Sequence, residues 1–379
     1  MKIALVENLT SDFIGARLRF AIYLKKRNID VTAIIPKDND SILIKDMGIK
    51  VIEYGDNVRG KGLINKIAFA YKLIKIFKSN HFDIIHLYRL QPNLIGSFIA
   101  GIFTKSKIIN HVTGLGYAFS NNSITNLIIQ KLTIILYNLN FKLFNTNLIY
   151  QNEFDKNDLH IYKNSVCIPG SAVNEDIFNL KKIVDNKTLF HKKKKIIYDP
   201  DKLTFLFVSR LIKEKGIIEL INAFNNLLFK ENISFNLLIV GWSDPQNPKT
   251  INENEIQKLI SKNKFIKFLG KRSDIADLIS ISDISILPSY YREGTPRFLL
   301  ESMCIGKPII TTKMPGCSHL IKNDKNGIII QPRSILEIEN AIKKISKLNI
   351  KKMGAQSKNI YVKYFSEKVI YSLILNFYN

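Results

Sequence analysis

Two patterns of hydrophobic and polar positions alternate along the first half of the chain. Short apolar runs, typical of strands buried on both faces, are separated by segments in which apolar residues recur with a helical period, such as Ala16–Arg27. This alternation predicts an α/β domain with a doubly wound parallel sheet. The predicted strands are Lys2–Val6, Asp30–Pro36, Asp83–Leu87, Lys107–His111 and Asn147–Tyr150.

The same alternation begins again after a stretch without clear periodicity, Asp176–Lys202. A final helical pattern, Met353–Phe377, is long enough to reach back across the junction between the halves. The predicted strands of the second half are Leu203–Ser209, Phe235–Val240, Ile266–Leu269, Asp283–Leu287, Pro308–Thr311 and Gly327–Ile330. Its predicted helices are Gly216–Phe229, Ser273–Ser280, Pro296–Ile305 and Ile335–Lys347.

The chain is therefore predicted to hold two Rossmann-like α/β domains that face each other across a cleft. Its 379 residues support this division, because a single core rarely grows past roughly 250–300 residues. With 46% hydrophobic residues each half can bury a core of its own, which excludes a wholly disordered chain. The predicted parts are an N-terminal domain over residues 1–180, a linker over 181–202, a C-terminal domain over 203–352 and a C-terminal helix over 353–379.

Cysteine and histidine positions give no indication of a metal centre. Cys167, Cys304 and Cys317 are scattered without metal-ligand spacing, and we expect small buried thiols in a reducing cytosol. The six histidines show no ligand pair on one helical face. The segment Asp38–Asp40 has the letters of a metal-binding Asp-x-Asp pair, but it follows the second strand in a polar stretch and is predicted to be a turn. No dinucleotide-binding glycine motif follows the first strand, and no cofactor is predicted.

The net charge of +24 is concentrated in the first half. Eleven basic residues and one acidic residue lie between Asn57 and Asn152. Within this range, Leu63–Lys78 has helical periodicity and lysine as its only charged residue type, which suits an anionic membrane surface. Nucleic acid is the rival partner, but no recognisable nucleic-acid module accompanies the charge, and none is predicted as a partner. A general lysine, isoleucine and asparagine bias is the alternative explanation.

No signal peptide or membrane-spanning helix is predicted. The first strand is too short for the apolar region of a signal peptide and lacks a small-residue cleavage site. The longest apolar stretch, Leu127–Phe144, is interrupted by polar residues and makes a poor spanning helix. The expected location is the cytoplasm, with peripheral attachment to the inner face of the cell membrane.

Two carboxylates, Glu293 and Glu301, lie eight positions apart on either side of a loop-to-helix junction. Gly294–Pro296 predicts a hinge, an N-cap hydroxyl from Thr295 and a proline suited to the first helical turn. The helix would begin just beyond the carboxyl end of a buried strand, where helix amides bind phosphate. One carboxylate could hold a sugar and the other a ribose, which predicts a nucleotide-sugar site. The alternative is an ordinary Arg297–Glu301 surface pair beside a solvated Glu293.

Two cations, Arg210 and Lys215, straddle the turn that follows the first strand of the second half. Cations in this position can hold a diphosphate and neutralise the charge that develops as it departs. The alternative is a solvated lysine-rich turn beside Glu214.

These motifs, taken in order, resemble glycosyltransferase family 4, whose members are retaining enzymes of the two-Rossmann, type B fold. The similarity covers the second domain almost end to end. In the first half, the loop Gly114–Phe119 and the segment Gln151–Glu153 are similar to a branch that adds sugars to polyprenyl-diphosphate carriers in bacterial glycan assembly. The motifs of the second domain are Arg210 and Lys215, Gly241, Asp283–Ser289, Glu293 and Glu301, Gly306–Thr312, Pro315–Gly316 and Asn326–Gly327.

The resemblance implies a role for each matched residue. The diphosphate would be bound by Arg210 and Lys215, the donor-sugar hydroxyls by Glu293 and the ribose by Glu301. The backbone of Gly294, Thr295 and Pro296 would approach the sugar and phosphate. Many members carry a histidine where this chain has Thr113, and His111 is predicted to be a core residue. The remaining substrate-binding candidates are Gly241 in the second domain and Thr113, Gly114 and Tyr117 at the acceptor side.

The function implied is a retaining, metal-independent transfer of an N-acetylhexosamine or hexose from a UDP-sugar. The acceptor would be a saccharide linked to polyprenyl diphosphate. Two alternatives stay open: a soluble glycosyltransferase that acts on a glucan or small acceptor, and a non-catalytic binding protein on the same scaffold.

Overall fold

The computed structural model describes residues 1–56, 62–120, 123–179, 199–244, 247 and 249–379. The predicted linker, 181–202, lies outside the described residues as far as residue 198. The chain divides into two compact units. The first unit consists of Met1–Ala172, Arg292–Thr295 and Lys368–Asn379, and the second of Val173–Tyr291 and Pro296–Glu367.

The first unit contains a seven-stranded parallel sheet, in the order β3-β2-β1-β4-β5-β6-β7 among the described residues. Its inner strands are almost wholly buried and rich in aliphatic residues, as is typical of a parallel sheet covered on both faces. The edge strands β3 and β7 were not predicted: both are short, half-buried and less apolar than the strands between them. The strands are β1 Lys2–Val6, β2 Asp30–Ile35, β3 Lys50–Glu53, β4 Ile84–Tyr88, β5 Lys107–Val112, β6 Asn147–Tyr150 and β7 Ser165–Cys167.

In the described part of the first unit, seven helices connect these strands, and a π-helical turn, Pro92–Gly96, leads into the fifth of them. The predicted helix Ala16–Arg27 is wrong at its start, because two helices meet at the buried Arg17. Asp38–Asp40 forms a turn, as predicted, with the amide of Asp40 donating to the Asp38 carboxylate. The helices are α1 Thr10–Ala16, α2 Leu18–Lys25, α3 Ser41–Asp46, α4 Leu63–Ser79, α5 Ser97–Phe103, α6 Ile124–Phe144 and α7 Glu153–Leu159.

The second unit contains a six-stranded parallel sheet, in the order β10-β9-β8-β11-β12-β13 among its described residues. The strands are β8 Thr204–Arg210, β9 Asn236–Trp242, β10 Ile266–Phe268, β11 Ile284–Leu287, β12 Ile309–Thr312 and β13 Gly327–Ile330. The helices are α8 Ile217–Glu231, α9 Glu253–Ile260, α10 Ile275–Ile281, α11 Arg297–Ile305, α12 Ile335–Ile345 and α13 Ile350–Tyr364.

In both sheets the strand order reverses beside the first strand, between β1 and β4 and between β8 and β11. A crevice outside the strand ends at such a switch point is the usual ligand site of a doubly wound fold. The predicted fold class, two Rossmann-like α/β domains, is confirmed.

The C-terminal segment forms two helices where the sequence predicts one. Helix α13 ends at Tyr364, and α14 spans Glu367–Tyr378. The break is stabilised by Glu175, whose carboxylate accepts from the Tyr361 hydroxyl (3.0 Å) and from the first amide of α14, that of Glu367 (2.9 Å). Helix α14 then packs in the first unit, where Tyr371 contacts Phe20 with 5.2 Å between ring centroids.

We expect Ile370→Ala, in α14, to lower the free energy of unfolding of the first unit by about 2–5 kcal/mol, because it leaves a cavity in a packed core. Ile370 is 0% exposed in the cluster with Phe20 and Tyr378. Leu373→Ala, on the same helix but 40% exposed, is the matched control and should change stability much less. Chemical denaturation followed by circular dichroism measures both, and equal effects would contradict this packing.

Candidate functional site

The carboxyl edge of the second unit's sheet brings together the ends of β8 and β11, at the switch point. Arg210 is the last residue of β8, and its Nη1 lies 2.6 Å from Oδ2 of Asp244. Register explains this pair, because Arg210 is opposite Trp242 on β9 and Asp244 follows two residues later. The ion pair orients the guanidinium at the sheet edge.

Lys215 lies beside β11 rather than in solvent. It ends a 3₁₀ turn, Lys213–Lys215, and is only 6% exposed. The next residue, Gly216, has a φ of +73° and no room for a Cβ against the carbonyl of Pro288. The amide of Tyr290 donates to the Glu214 carbonyl at 2.7 Å, which ties the turn to the segment after β11.

The Lys215 ammonium is therefore held close to the segment that precedes the two predicted carboxylates. Its Nζ lies 5.5 Å from the centroid of the Tyr291 ring. This ring distance is that of a cation–π contact, which favours a fixed ammonium over a mobile one. The solvated-turn alternative does not describe Lys215.

Glu301 is a buried carboxylate in the middle of α11. It is 9% exposed, and Arg297 Nη2 lies 3.3 Å from its Oε1. Burial raises the pKa of Glu301, and the neighbouring Arg297 opposes that rise. The Arg297–Glu301 pair exists, but the burial of Glu301 distinguishes it from an ordinary surface pair. A carboxylate in such a place can accept hydrogen bonds from two adjacent hydroxyl groups.

The start of α11 differs from the prediction. Pro296 occupies the N-cap position with an extended ψ of 122°, and Arg297 is the first helical residue. The Thr295 hydroxyl does not cap the helix, since it lies 3.5 Å from the carbonyl of Gln151 in the first unit. Pro296 has no amide hydrogen to offer a phosphate, and its carbonyl instead accepts from Leu299 at 3.2 Å.

Gly241 lies on β9 opposite Ser209. A Cβ at this position would be 2.5 Å from Leu211 Cδ2 and 2.8 Å from the Ser209 carbonyl oxygen. Packing therefore requires a glycine here, and a substrate contact at Gly241 stays a prediction.

The first unit contains the other predicted residues, gathered around Arg292–Thr295. This segment lies on the loop after β5, where Gly114 has a φ of +106° and a Cβ would be 2.5 Å from the Gly294 nitrogen. A Cβ at Gly294 would in turn lie 2.6 Å from the Thr113 carbonyl oxygen. The two glycines thus allow direct backbone contact between Thr113–Gly114 and Glu293–Gly294. Tyr117 begins a 3₁₀ turn, Tyr117–Phe119, in the same loop.

The segment is fixed by bonds from the residues that follow β6. Asn152 Nδ2 donates to the carbonyls of Glu293 (3.3 Å) and Gly294 (3.4 Å). The Asn152 carboxamide oxygen also caps α7 by accepting from the amide of Asp155 at 2.9 Å. One side chain therefore links the start of α7 to the backbone of the predicted sugar-binding loop.

Arg292 makes the strongest electrostatic contacts of this segment. Its Nη2 lies 3.2 Å from Asp155 Oδ1 and also contacts the Asp158 carboxylate. The amide of Arg292 donates to Ser120 Oγ at 3.0 Å. Asp155 is fully buried, which raises its pKa to about 6, and Arg292 opposes that rise. No role was predicted for these residues, although two carboxylates three positions apart on α7 were a usable signal.

His111 is a core residue, as predicted. It is fully buried, and its Nδ1 lies 3.2 Å from His86 Nε2. Burial lowers the pKa of both histidines well below the usual value, with a smaller contribution from Arg17. His86 in turn lies 2.6 Å from the Tyr378 hydroxyl of α14.

Comparison with known proteins identifies the class to which this chain belongs. The family model "Glycosyl transferase 4-like" matches residues 2–152, and "Glycosyl transferases group 1" matches residues 190–362. The N,N'-diacetylbacillosaminyl-diphospho-undecaprenol alpha-1,3-N-acetylgalactosaminyltransferase of Campylobacter jejuni is 26% identical, covering 94% of this chain and 93% of that protein. The UDP-Gal:alpha-D-GlcNAc-diphosphoundecaprenol alpha-1,3-galactosyltransferase of Escherichia coli is 24% identical, covering 79% and 75%.

Among solved structures, a glycosyltransferase from Rickettsia africae superposes with a TM-score of 0.79 and 22% identity, covering all of this chain and 97% of that one. The two family models together match most of the chain. The chain therefore belongs to the glycosyltransferases that have a 4-like N-terminal domain and a group 1 C-terminal domain. The predicted family, enzyme class and type B fold are confirmed.

We expect Arg292→Ala to lower the free energy of unfolding by about 3 kcal/mol at pH 8, because it leaves the Asp155 carboxylate buried without its counter-charge. The loss should shrink below about pH 6, where folded Asp155, whose pKa is raised, takes up a proton before the unfolded chain does. Chemical denaturation at both pH values measures it.

The matched control is Lys344→Ala, which removes an ion pair with Asp324 in which both side chains are about half exposed. A change within about 0.5 kcal/mol is expected there. Adding Asp155→Asn to Arg292→Ala should recover part of the loss at pH 8. A loss that is the same at both pH values would contradict the electrostatic explanation.

Proposed function

We propose that this enzyme transfers an N-acetylhexosamine or hexose from a UDP-sugar to a saccharide carried on polyprenyl diphosphate. The transfer retains the anomeric configuration and needs no metal ion. It takes place at the inner face of the cell membrane, to which the enzyme binds peripherally from the cytoplasm. The observation that carries the proposal is the arrangement of Arg210, Lys215 and Glu301 along one edge of the second unit's sheet.

The donor nucleotide fits the chemistry of that edge. Arg210, oriented by Asp244, and the buried Lys215 supply two positive charges for the diphosphate. Both remain favourable as negative charge develops on the departing UDP, which is how fixed cations accelerate such a step. Glu301 accepts from the two ribose hydroxyls, whose donor hydrogens compensate its burial. The name of the E. coli relative, which specifies UDP-Gal, supports a UDP donor.

The sugar and acceptor are assigned to the residues gathered in the first unit. Glu293 holds hydroxyls of the donor sugar, and Thr113, Gly114 and Tyr117 belong to the acceptor side. Support comes from the direct backbone contact between Thr113–Gly114 and Glu293–Gly294. In the reaction the bond from sugar C1 to the UDP oxygen breaks, a bond to the acceptor oxygen forms on the same face, and the acceptor hydroxyl passes its proton to the departing UDP oxygen. The name of the C. jejuni relative, which specifies diphospho-undecaprenol, supports a lipid-linked acceptor.

Membrane attachment is supported by helix α4. Lys66, Lys72, Lys75 and Lys78 are exposed on it, and no acidic residue occurs in the helix. A lysine close to an anionic membrane surface contributes about 1 kcal/mol, so four of them are enough for reversible peripheral binding.

The proposal is tested by measuring transfer from a panel of nucleotide sugars, with EDTA, to a prenyl-diphosphate-linked saccharide in anionic vesicles. We expect turnover of one UDP-sugar that EDTA does not inhibit and that requires the lipid-linked acceptor, with the new linkage in the donor's anomeric configuration by NMR. Equal transfer to free oligosaccharides would indicate a soluble acceptor. Donor binding without any turnover would indicate a non-catalytic binding protein.

We expect Arg210→Ala to lower kcat by about 100- to 1,000-fold, the usual effect of removing one group that stabilises developing charge. Arg272→Ala is the matched control, since Arg272 also pairs with an aspartate after a strand of the same sheet, with 2.6 Å between Nη2 and Asp274 Oδ2. Steady-state kinetics with the preferred donor should leave the control unchanged. Full activity in Arg210→Ala would refute the diphosphate assignment.

A further inference from the structure

Helix α6 directs uncharged polar residues inward and most of its apolar residues outward. Its buried side chains are Asn126, Thr133, Tyr137 and Asn140, none of them aliphatic. The opposite face is broad, exposed and largely apolar, and Lys131 and Lys142 are the charged residues exposed on it. Its exposed apolar residues are Ile124, Leu127, Ile128, Ile129, Leu132, Ile135, Leu136, Leu139 and Leu143. A surface helix of a water-soluble domain normally has the reverse arrangement.

The polar inner face is bonded to the body of the first unit. Gln130 Nε2 donates to the Ala118 carbonyl at 2.7 Å, and Asn140 Nδ2 donates to the Leu94 carbonyl at 3.1 Å. The Tyr137 hydroxyl accepts from Asn93 Nδ2 at 3.0 Å. These bonds fix the rotation of the helix about its axis, so the apolar face stays directed outward.

The apolar face continues over the two neighbouring helices. Phe98 of α5 contacts Phe144 of α6 with 5.6 Å between ring centroids, and Gly101 gives the Phe144 ring its space. Helix α5 also packs against α4. We call this area the three-helix surface. Its exposed apolar residues outside α6 are Phe98 and Ile102 of α5 and Leu63, Ile64, Ile67 and Tyr71 of α4.

The charges around the three-helix surface are almost all positive. Helices α4, α5 and α6 contain no acidic residue, and their charged residues are Lys66, Lys72, Lys75, Lys78, Lys131 and Lys142. Each helix has a lysine in its last turn or just beyond it. These lysines are Lys78 in α4, Lys105 after α5 and Lys142 in α6. Between the ends of α4 and α5, Lys78, Lys105 and His81 line a cavity of about 670 Å³, large enough for a phosphate headgroup.

We infer that α6 is an interfacial membrane helix, which lies in the plane of an anionic bilayer with its Leu/Ile face among the acyl chains and the surrounding lysines at the headgroups. A lipid surface of this kind complements both the apolar area and the positive charge. The helix is the one in the described chain that is long and apolar enough to cross a membrane, by length and composition. Crossing would carry Asn126, Thr133 and Asn140 into hydrocarbon and break the inner-face bonds, whereas an in-plane helix keeps them.

The first test is partition of the full chain into phosphatidylglycerol-containing vesicles and into phosphatidylcholine vesicles. We expect Leu132→Gln with Leu136→Gln to weaken partition into anionic vesicles by at least about tenfold, since two large apolar groups are lost from the bilayer. The matched control is Leu336→Gln with Val362→Gln, two exposed apolar residues of the second unit. Because all four side chains are exposed, both variants should keep the wild-type melting temperature.

A second measurement locates the helix in the bilayer. Tryptophan in place of Leu132 should be quenched by lipids brominated on the acyl chain, whereas Leu336→Trp should not. Resistance to alkaline extraction would mean that α6 spans the bilayer, and would overturn the in-plane assignment. Unchanged partition of the α6 variant would overturn it too. So would self-association without lipid that the variant abolishes, since the face would then join two copies of the chain.

The assignment of α6 rests on the proposed function in one respect: the proposed function is what places α6 at the inner face of the cell membrane. Vesicle partition is measured without donor or acceptor, and transfer to a short-chain, water-soluble acceptor should be equal in the wild type and the α6 variant. Partition without any transfer would refute the proposed function and leave the helix assignment intact. Transfer without partition would refute the assignment of α6 and leave the proposed transfer reaction intact.

Discussion

Parallel pairing places the carboxyl ends of all strands of a sheet at one edge, and the donor site that we propose for this enzyme depends on that constraint. In the second unit the register of β8 with β9 brings Asp244 to Arg210. The return of the chain to β11 brings the Lys213–Lys215 turn against Pro288 and Tyr290. Backbone hydrogen bonds hold Arg210 and Lys215 at this edge before any ligand binds. The folding of the chain therefore offsets the electrostatic repulsion between the two cations.

The switch point of the first unit has a different electrostatic character. Glu7, at the end of β1, is fully buried, and burial raises its pKa to about 7. Arg89 Nε lies 3.2 Å from its Oε1 and Arg17 Nε lies 3.6 Å from its Oε2, while Asp12 also contacts Arg89. The two arginines there are matched by two acids, and this cluster is suited to holding the strand ends together. The edge of the second unit, where Arg210 pairs with Asp244 and Lys215 contacts the Tyr291 ring, is the anion site that we propose.

The sequence was sufficient to predict every described strand except β3 and β7, because buried parallel strands are continuous apolar runs. The candidate residues were proposed from positions that follow those runs: Arg210, Lys215 and Glu293 lie at or after strand ends, and Glu301 lies on the next helix. Contacts across the sheet were not predictable. Asp244 depends on the β8–β9 register, and the contact of Gly294 with Thr113 joins positions far apart in the chain. The helix break after Tyr364 likewise depends on a distant residue, Glu175.

Helix α6 shows that periodicity alone does not tell which face of a helix packs against the protein. Leu127–Phe144 was set aside as a spanning helix because polar residues interrupt it. The structure shows that Gln130, Asn138 and Asn140 are directed inward, whereas Lys131 and Lys142 are exposed. A pattern of apolar and polar positions defines two faces but not which one meets the protein. Hydrogen bonds from Gln130 and Asn140 to backbone carbonyls settle that choice. The apolar face is then left to whatever surrounds the domain, and a lysine-rich margin makes an anionic bilayer the surface that stabilises it.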